Sequence, residues 1–157
     1  MVMNWAQVHL WLNHLPVLGI LFGLVLLIAA LLRKNEDWKR LSLIVFVVIG
    51  LIAIGTYLTG EPAEEVVEHL TGVSEATIEP HEESALWSLI AIEALAASSL
   101  AGLFLSRKSG MIPSRLLTTC LLFSIIAMAS VAWTAHLGGQ IRHSETRSEF
   151  QPLTAED

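Results

Sequence analysis

The sequence predicts an all-α integral membrane protein, built as an up-and-down bundle of four transmembrane helices. Two observations carry this prediction. The 157 residues are 54% hydrophobic and only 15% charged, with a mean hydropathy of +0.61, which exceeds what a soluble domain of this size normally shows. The apolar residues are also gathered into four long runs. The chain has room for one membrane domain and for no separate soluble enzyme domain.

Each apolar run is long enough to cross a bilayer as a helix. The first has 23 residues, which at about 1.5 Å per residue cover about 35 Å. It is too long for a signal peptide, and no basic residue precedes it. The predicted transmembrane helices cover residues 10–32, 41–59, 84–105 and 116–137.

The segments outside these runs are short, apart from one loop and the C-terminal tail. In the loop 60–83, Pro62 fits the first turn of a helix whose apolar stripe is Val66, Val67 and Leu70, so a short surface helix is predicted. Pro80 then precedes the third membrane helix. Residues 1–143 are assigned to the transmembrane domain, and residues 144–157 to a flexible tail.

Basic residues set the predicted orientation. Seven of the nine Lys and Arg residues lie in the first and third loops. Because short loops rich in Lys and Arg stay in the cytoplasm, both termini and the loop 60–83 are predicted on the outer, periplasmic side of the bacterial cytoplasmic membrane. Eight glutamates and no Lys or Arg occupy that loop, which favours a solvated acidic face over a cation site. The net charge of −6 argues against nucleic acid as a partner.

All six histidines fall on the outer side in this topology. Three of them, His14, His81 and His136, stand at the ends of three helices at one depth. Since imidazole is the commonest metal ligand in proteins, these three predict a cofactor site. The leading assignment is haem b between His14 and His81, which should face each other across the bundle, with His136 as a third ligand or a supporting residue. A non-haem iron or copper ion is the alternative, and a simple interfacial hydrogen bond is the ordinary role of each ring.

The remaining histidines are weaker candidates. His9 lies five residues before His14, about 140° away on a continuous helix, so both can point inward only if the chain is redirected at Asn13 or Pro16. His69 and His143 are predicted to be solvated.

Three carboxylates accompany the histidines. Glu82 follows His81 directly, and Glu61 opens the surface helix, so either could orient an imidazole or bind the metal itself. Glu93 lies inside the third membrane helix, about 20° from Glu82 around the helix axis. It is predicted to be a proton relay or inner ligand, or else a hydrogen-bonded buried acid with a partner such as Thr56.

Several other residues in or near the apolar segments have predicted structural roles. Gly19 and Gly23 lie one turn apart and favour a close helix contact, although Gly19 and Gly55 could instead leave space for a flat macrocycle. Cys120 is predicted to pack inside the bundle. Interfacial anchoring is the default role of four tryptophans predicted near the outer boundary, namely Trp5, Trp11, Trp87 and Trp133.

Four short patterns resemble a family of uncharacterised bacterial four-helix membrane proteins. They are Asn13-His14-Leu15-Pro16, Thr59-Gly60, His81-Glu82-Glu83 and His136-Leu137-Gly138-Gly139. Leu15 stands where the family usually has Phe, and the usual family ending after the double glycine is lacking. Some relatives are joined to cytochrome c or Rieske-type domains, so the resemblance implies a redox setting.

Two functional hypotheses follow. The first is a membrane redox-associated protein that transfers electrons through the histidine site and meets a membrane or periplasmic redox protein. The second is a non-catalytic accessory subunit that scaffolds a larger respiratory or transport complex, with its acidic loop docking a partner. Catalysis at a metal with an open position stays open, as does assembly into a homo-oligomer. The lipid bilayer is the expected surrounding in every case.

Overall fold

The computed structural model describes residues 4–148, and within that range every regular element is helical. The all-α prediction is therefore confirmed for the described residues. Four helical stretches are long and apolar enough to cross a membrane: Trp5–Arg33, Glu36–Val67, Glu75–Arg107 and Ser114–Arg142. The elements are α1 (Trp5–Leu12), α2 (His14–Arg33), α3 (Glu36–Leu58), α4 (Gly60–Val67), α5 (Glu75–Ser109), α6 (Ser114–Arg142) and a 3-10 turn (Ser144–Thr146).

The first transmembrane stretch is interrupted at a single residue. Asn13 separates α1 from α2, yet its φ of −64° and ψ of −22° are helical values. Pro16 in the first turn of α2 has no N–H, so it cannot bond to the carbonyl of Leu12. The hydroxyl of Thr56 on α3 reaches that carbonyl at 3.5 Å. The break therefore keeps the helical phase of the chain almost unchanged.

The third long helix begins earlier than the sequence indicates. It starts at Glu75, where Ser74 and Thr77 form a capping box, so the predicted loop ends nine residues before position 84. Pro80 consequently lies inside α5 rather than before it. As the sixth residue of α5, Pro80 has no N–H to bond to the Ala76 carbonyl, so the helix lacks one hydrogen bond there.

The long helices pack as a closed ring in which α2 contacts α3, α3 contacts α5, α5 contacts α6 and α6 contacts α2. This leaves α2 and α5 diagonal, as expected for short connections. Small residues allow close packing: a Cβ added to Gly50 of α3 would lie 2.7 Å from the Cβ of Ala96 on α5. The fully buried core side chains include Ile20, Leu27, Leu43, Phe46, Leu95, Cys120 and Ala127.

The two ends of the ring differ in composition. At one end, called here the basic end, lie the α2–α3 and α5–α6 turns with seven of the Lys and Arg residues. Arg40 of α3 donates to the Gly110 carbonyl at 2.6 Å and joins the two turns. At the other, called here the histidine end, lie α1, α4, the start of α5 and the end of α6. Helix α4 packs on α1 there and covers part of the ring.

Large apolar side chains cover the outside of the bundle. Leu18, Phe22, Leu51, Phe104 and Leu122 are among many that are exposed, and at most 33% of the apolar window of each spanning helix is buried. In water such a surface would be costly, whereas in lipid it is favourable. The surface thus supports the membrane assignment.

The start of the predicted flexible tail is folded onto the histidine end. After the 3-10 turn, the Arg147 guanidinium donates to the carbonyls of Gln140, Ile141 and Gly72 at 2.9 to 3.0 Å. These bonds tie the tail to α6 and to the loop before α5. The rest of the predicted tail, residues 149–157, lies outside the described residues.

Candidate functional site at the histidine end

His81 is held against α6 by one hydrogen bond. Its Nδ1 lies 3.0 Å from the backbone carbonyl oxygen of Thr134. Since a carbonyl can only accept, Nδ1 must carry the hydrogen, and a neutral ring then has its lone pair on Nε2. Gly138 makes room for this ring, because a Cβ there would lie 2.9 Å from the His81 Cε1.

His9 is held in the same way from the opposite side of the histidine end. Its Nδ1 lies 3.0 Å from the hydroxyl oxygen of Thr59. The Thr59 hydroxyl donates its own hydrogen to the Thr56 carbonyl at 2.7 Å. It can therefore only accept from His9, which places the hydrogen on Nδ1 and leaves the lone pair on Nε2.

The two half-buried imidazoles form a matched pair. They belong to α1 and α5, and both lie at the histidine end. Within residues 4–148, neither Nε2 atom has a hydrogen-bond partner. Metal-binding histidines commonly show this state, with one ring nitrogen fixed by a hydrogen bond and the other available as a ligand.

His14 is turned away from this pair. It is exposed, and its Nδ1 bonds within its own chain segment to the Leu10 carbonyl at 2.7 Å. On α2 it lies about 160° around the axis from the buried Pro16. Because Asn13 keeps the helical phase, the 140° separation expected from the sequence persists, and His9 takes the inward position. The predicted pairing of His14 with His81 across the bundle is not formed.

His136 is also exposed, and its ring nitrogen is engaged. The Gln140 side-chain amide donates to Nε2 of His136 at 3.1 Å, and the same amide nitrogen faces the Thr146 carbonyl at 3.4 Å. The ring also lies beside the Trp133 indole, with ring centroids 5.5 Å apart. Ligation through this Nε2 would require the Gln140 contact to break.

The last two histidines lie at exposed positions, as the sequence suggests. His69 faces the carboxylate of Glu68 at 3.3 Å, and His143 faces that of Glu145 at 2.9 Å. A backbone N–H and then the His143 ring, both bonding to the Glu145 carboxylate, hold the pKa of that carboxyl below its usual range.

The three carboxylates singled out from the sequence lie in different surroundings. Glu61 and Glu82 are exposed, and the Glu82 carboxyl is within hydrogen-bonding reach of Glu64 on α4. Glu93 is half-buried against Gly50 of α3, and its Oε1 atom is buried without a hydrogen-bond partner among the described residues. The suggested partner of Glu93, Thr56, instead bonds to the Ile52 carbonyl at 3.0 Å.

The arrangement thus contains two imidazoles rather than three. In the part of the chain that the structure describes, no group of three or more His, Cys, Asp or Glu side chains is placed to hold a metal ion. Sequence reasoning rated His9 below His14 and missed Thr59 and Thr134. The one available signal was the 140° separation of the two histidines, which shows that only one can face inward but not which one.

Comparison with known proteins adds no further constraint. No family model matches the chain, and neither a curated protein nor a solved structure matches it.

Proposed function

We propose that this protein is a membrane redox-associated protein that binds a metal cofactor at its histidine end, with His9 and His81 as the ligands. The observation that carries the proposal is the matched state of the two rings. Each Nδ1 donates to a fixed oxygen, at 3.0 Å in both cases, and each Nε2 lacks a partner among the described residues. When Nε2 of such an imidazole binds a metal, the ring keeps its Nδ1 hydrogen bond and no existing hydrogen bond has to break.

The donor count favours haem b over a bare ion. Haem needs only two axial protein ligands, whereas a non-haem iron or copper ion usually takes three or more. The described residues supply two imidazoles in this state at the histidine end, and no group of three or more His, Cys, Asp or Glu side chains placed to hold an ion. Gly55 faces open space, while Gly19 is packed by Ile49. Of the two glycines considered as space for a macrocycle, only Gly55 still fits that role.

Bound haem would supply one-electron transfer, and the protein's part would be to hold and orient the rings. Thr59 and Thr134 fix the two imidazole planes through the Nδ1 bonds, and such partners also raise the basicity of the ligating nitrogen. Thr134 acts through its backbone carbonyl, so this role does not depend on its side chain. The site would lie at the end of the bundle that the distribution of Lys and Arg predicts to be outside the cytoplasm.

The test is the absorption spectrum and metal content of the protein, purified in detergent after expression with added haem precursor. We expect a Soret band that is lost in His9→Ala and in His81→Ala. His14→Ala and His136→Ala are matched controls at the same end of the bundle and should keep it. A colourless, metal-free protein would overturn the proposal. Loss of the band in the two controls would instead support the set His14, His81 and His136.

The acidic surface favours a second candidate, an accessory subunit that docks a basic partner. Exposed glutamates surround the histidine end and no lysine lies there; they are Glu61, Glu65, Glu68, Glu75, Glu79, Glu82 and Glu83. A stoichiometric partner that co-purifies at low salt with a colourless protein, and dissociates at high salt, would favour this function over the first.

A further inference from the structure

A shallow groove runs along the outside of the α5–α6 pair at the histidine end. Its walls include the indoles of Trp87 and Trp133, both more than half exposed, and its floor includes the hydroxyls of Ser84 and Ser130. Glu83 lies at its edge. We propose that this groove binds the headgroup of a membrane quinol, the reduced form of a quinone. The inference deepens the proposed redox function, on which it rests, by naming the electron carrier that meets the site.

Four hydroxyl groups lie in a row beneath the groove. Ser84 contacts Thr134 at 2.7 Å, Thr134 contacts Ser88 at 2.8 Å, and Ser88 contacts Ser130 at 2.7 Å. All three contacts join α5 to α6. In the described part of the chain, none of the four hydroxyls bonds to a backbone carbonyl, which is the usual arrangement for Ser and Thr in apolar helices.

A proton count shows that this row is incomplete. Four hydroxyls carry four hydrogens, and the three contacts between them use three. One hydrogen is therefore not used within the row. When all three bonds run in the same direction, this hydrogen lies at one end of the row, on Ser84 or on Ser130, and the other end has a free acceptor. Both of these residues line the groove.

The other polar group of the groove is an acceptor. Glu83 is exposed, and its carboxylate oxygens accept hydrogen bonds. No Lys or Arg is among the residues that line the groove. This charge pattern disfavours the phosphate of an anionic lipid. It suits a neutral ring with hydroxyl groups on opposite sides, one donating to Glu83 and the other bonding to the serine row.

The aromatic walls suit the ring of such a ligand. Indole faces stack on flat rings, and Trp87 and Trp133 both line the groove. The row also leads towards the proposed cofactor site, because Thr134 joins it through its hydroxyl and bonds to His81 through its carbonyl. A quinol in the groove would therefore lie one residue away from a cofactor ligand.

The experiment measures quenching of tryptophan fluorescence in lipid nanodiscs without oxygen, with a decyl-substituted benzoquinol and the matching benzoquinone as probes. Trp5, Trp11 and Trp38 are replaced by Phe, so that Trp87 and Trp133 report. We expect saturable quenching by the quinol and binding about tenfold weaker for the quinone, the size expected of one charge-assisted hydrogen bond. Glu83→Gln should remove the preference.

The serine row has a matched control. The double variant Ser84→Ala with Ser130→Ala should weaken quinol binding at least about fivefold, the effect of losing one hydrogen bond. Ser106→Ala with Ser124→Ala lies on the same two helices, removes hydroxyls that bond only to their own backbone, and should leave binding unchanged. Quenching that does not saturate, or equal loss in both double variants, would overturn the proposal.

A competing lipid headgroup would be recognised in the same assay. If phosphatidylethanolamine in the nanodisc abolishes quinol quenching while phosphatidylglycerol does not, the groove is an ammonium site and the quinol proposal is wrong. The assay does not depend on bound cofactor. A colourless protein that still binds quinol would contradict the haem proposal alone, and a haem-containing protein without saturable quenching would contradict the quinol proposal alone.

Discussion

The two halves of the α5–α6 seam use the same residue types in opposite ways. Towards the basic end, the hydroxyls of Ser106, Thr119 and Ser124 donate to carbonyls three or four residues earlier in their own helix, at 2.8 to 3.0 Å. Among the described residues, the one side-chain hydrogen bond across that half joins Ser99 to the Cys120 sulfur and is 3.6 Å long. Towards the histidine end, Ser84, Ser88, Ser130 and Thr134 bond to one another across the seam instead.

The two halves differ in what holds α5 against α6: close packing in one half and interhelical hydrogen bonds in the other. A hydroxyl that is satisfied by its own helix places no demand on a neighbour, so the basic half is held by shape, with small residues letting the helices approach. Hydroxyls that bond across the seam fix the rotation and register of both helices. They also leave one of their four hydrogens unused within the row. At the histidine end, therefore, the polar groups connect the two helices to each other and do not only stabilise their own helix.

The largest expected effect concerns helix packing in the part of the bundle that lies outside the histidine end. Gly50→Ala places a methyl group 2.7 Å from the Ala96 Cβ, which is fixed to its backbone and cannot move aside. We expect a loss of about 2 kcal/mol in the free energy of unfolding, as for other overpacked cores. Unfolding in a graded mixture of mild detergent and SDS measures it.

Gly55→Ala is the control on the same helix, because an added Cβ there meets no atom within 4 Å. Its free energy of unfolding should stay within about 0.5 kcal/mol of the original, or increase, since alanine favours the helix. Equal destabilisation by both substitutions would contradict the close contact with Ala96 as the reason why Gly50→Ala is unfavourable.

The second prediction concerns the imidazole position. Gly138→Ala would place a Cβ 2.9 Å from the His81 Cε1, so the ring must shift and the 3.0 Å bond to the Thr134 carbonyl should lengthen or break. We expect a loss of about 1 kcal/mol, the usual contribution of one such bond. The Nδ1 resonance of His81 in a ¹⁵N-histidine NMR spectrum should move.

Gly139→Ala serves as the neighbouring control, because its added Cβ would meet open space. The His81 resonances should not change in this variant. If Gly138→Ala also left them unchanged, the ring would not be held against α6, and the matched state of His9 and His81 would no longer support a cofactor site.

The smallest effect distinguishes the two uses of hydroxyl groups directly. Thr134→Val removes a hydroxyl that contacts both Ser84 and Ser88, and keeps the backbone carbonyl that holds His81. Interhelical hydrogen bonds in membranes average about 0.6 kcal/mol, so we expect a loss of about 1 kcal/mol for two.

Thr119→Val, also on α6 and also half-buried, removes only a bond to the Arg115 carbonyl of the same helix. Its loss should stay below about 0.5 kcal/mol, because valine also removes the competition of the hydroxyl for the helix backbone. Equal losses in the two variants would contradict the distinction between the halves of the seam.

Much of the fold could be predicted because it depends on local properties of the chain. The four apolar runs fix where the long helices lie, and short connections make α2 and α5 diagonal. The start of α5 was missed, since the Ser74 capping box lies among polar residues that carry no hydrophobic pattern. Pro80 also favoured a later boundary, because proline is unfavourable in a helix interior, yet it is the sixth residue of α5.

The candidate site was predicted only in part, and the reason is geometric. The sequence predicted a site at the histidine end with His14 and His81, whereas the structure has His14 exposed and His9 in the inward position. The two are separated by about 140° whether or not the chain breaks, so local reasoning shows that one must face outward. Which one faces inward depends on where α2 packs, and the buried Pro16 and Ile20 decide that only within the assembled ring.

By itself, the sequence determined an all-helical chain with four stretches apolar enough for a membrane, and it placed the histidines and the basic residues at opposite ends. Those properties follow from the amino-acid composition and from the length and spacing of the apolar runs, which are local features of the sequence. Only the tertiary structure decided that His9 joins His81, that Thr59 and Thr134 set their tautomers, and that four hydroxyls form a row with one hydrogen left over. Each of these depends on the rotation of one helix against another, which side-chain packing sets and no local pattern encodes.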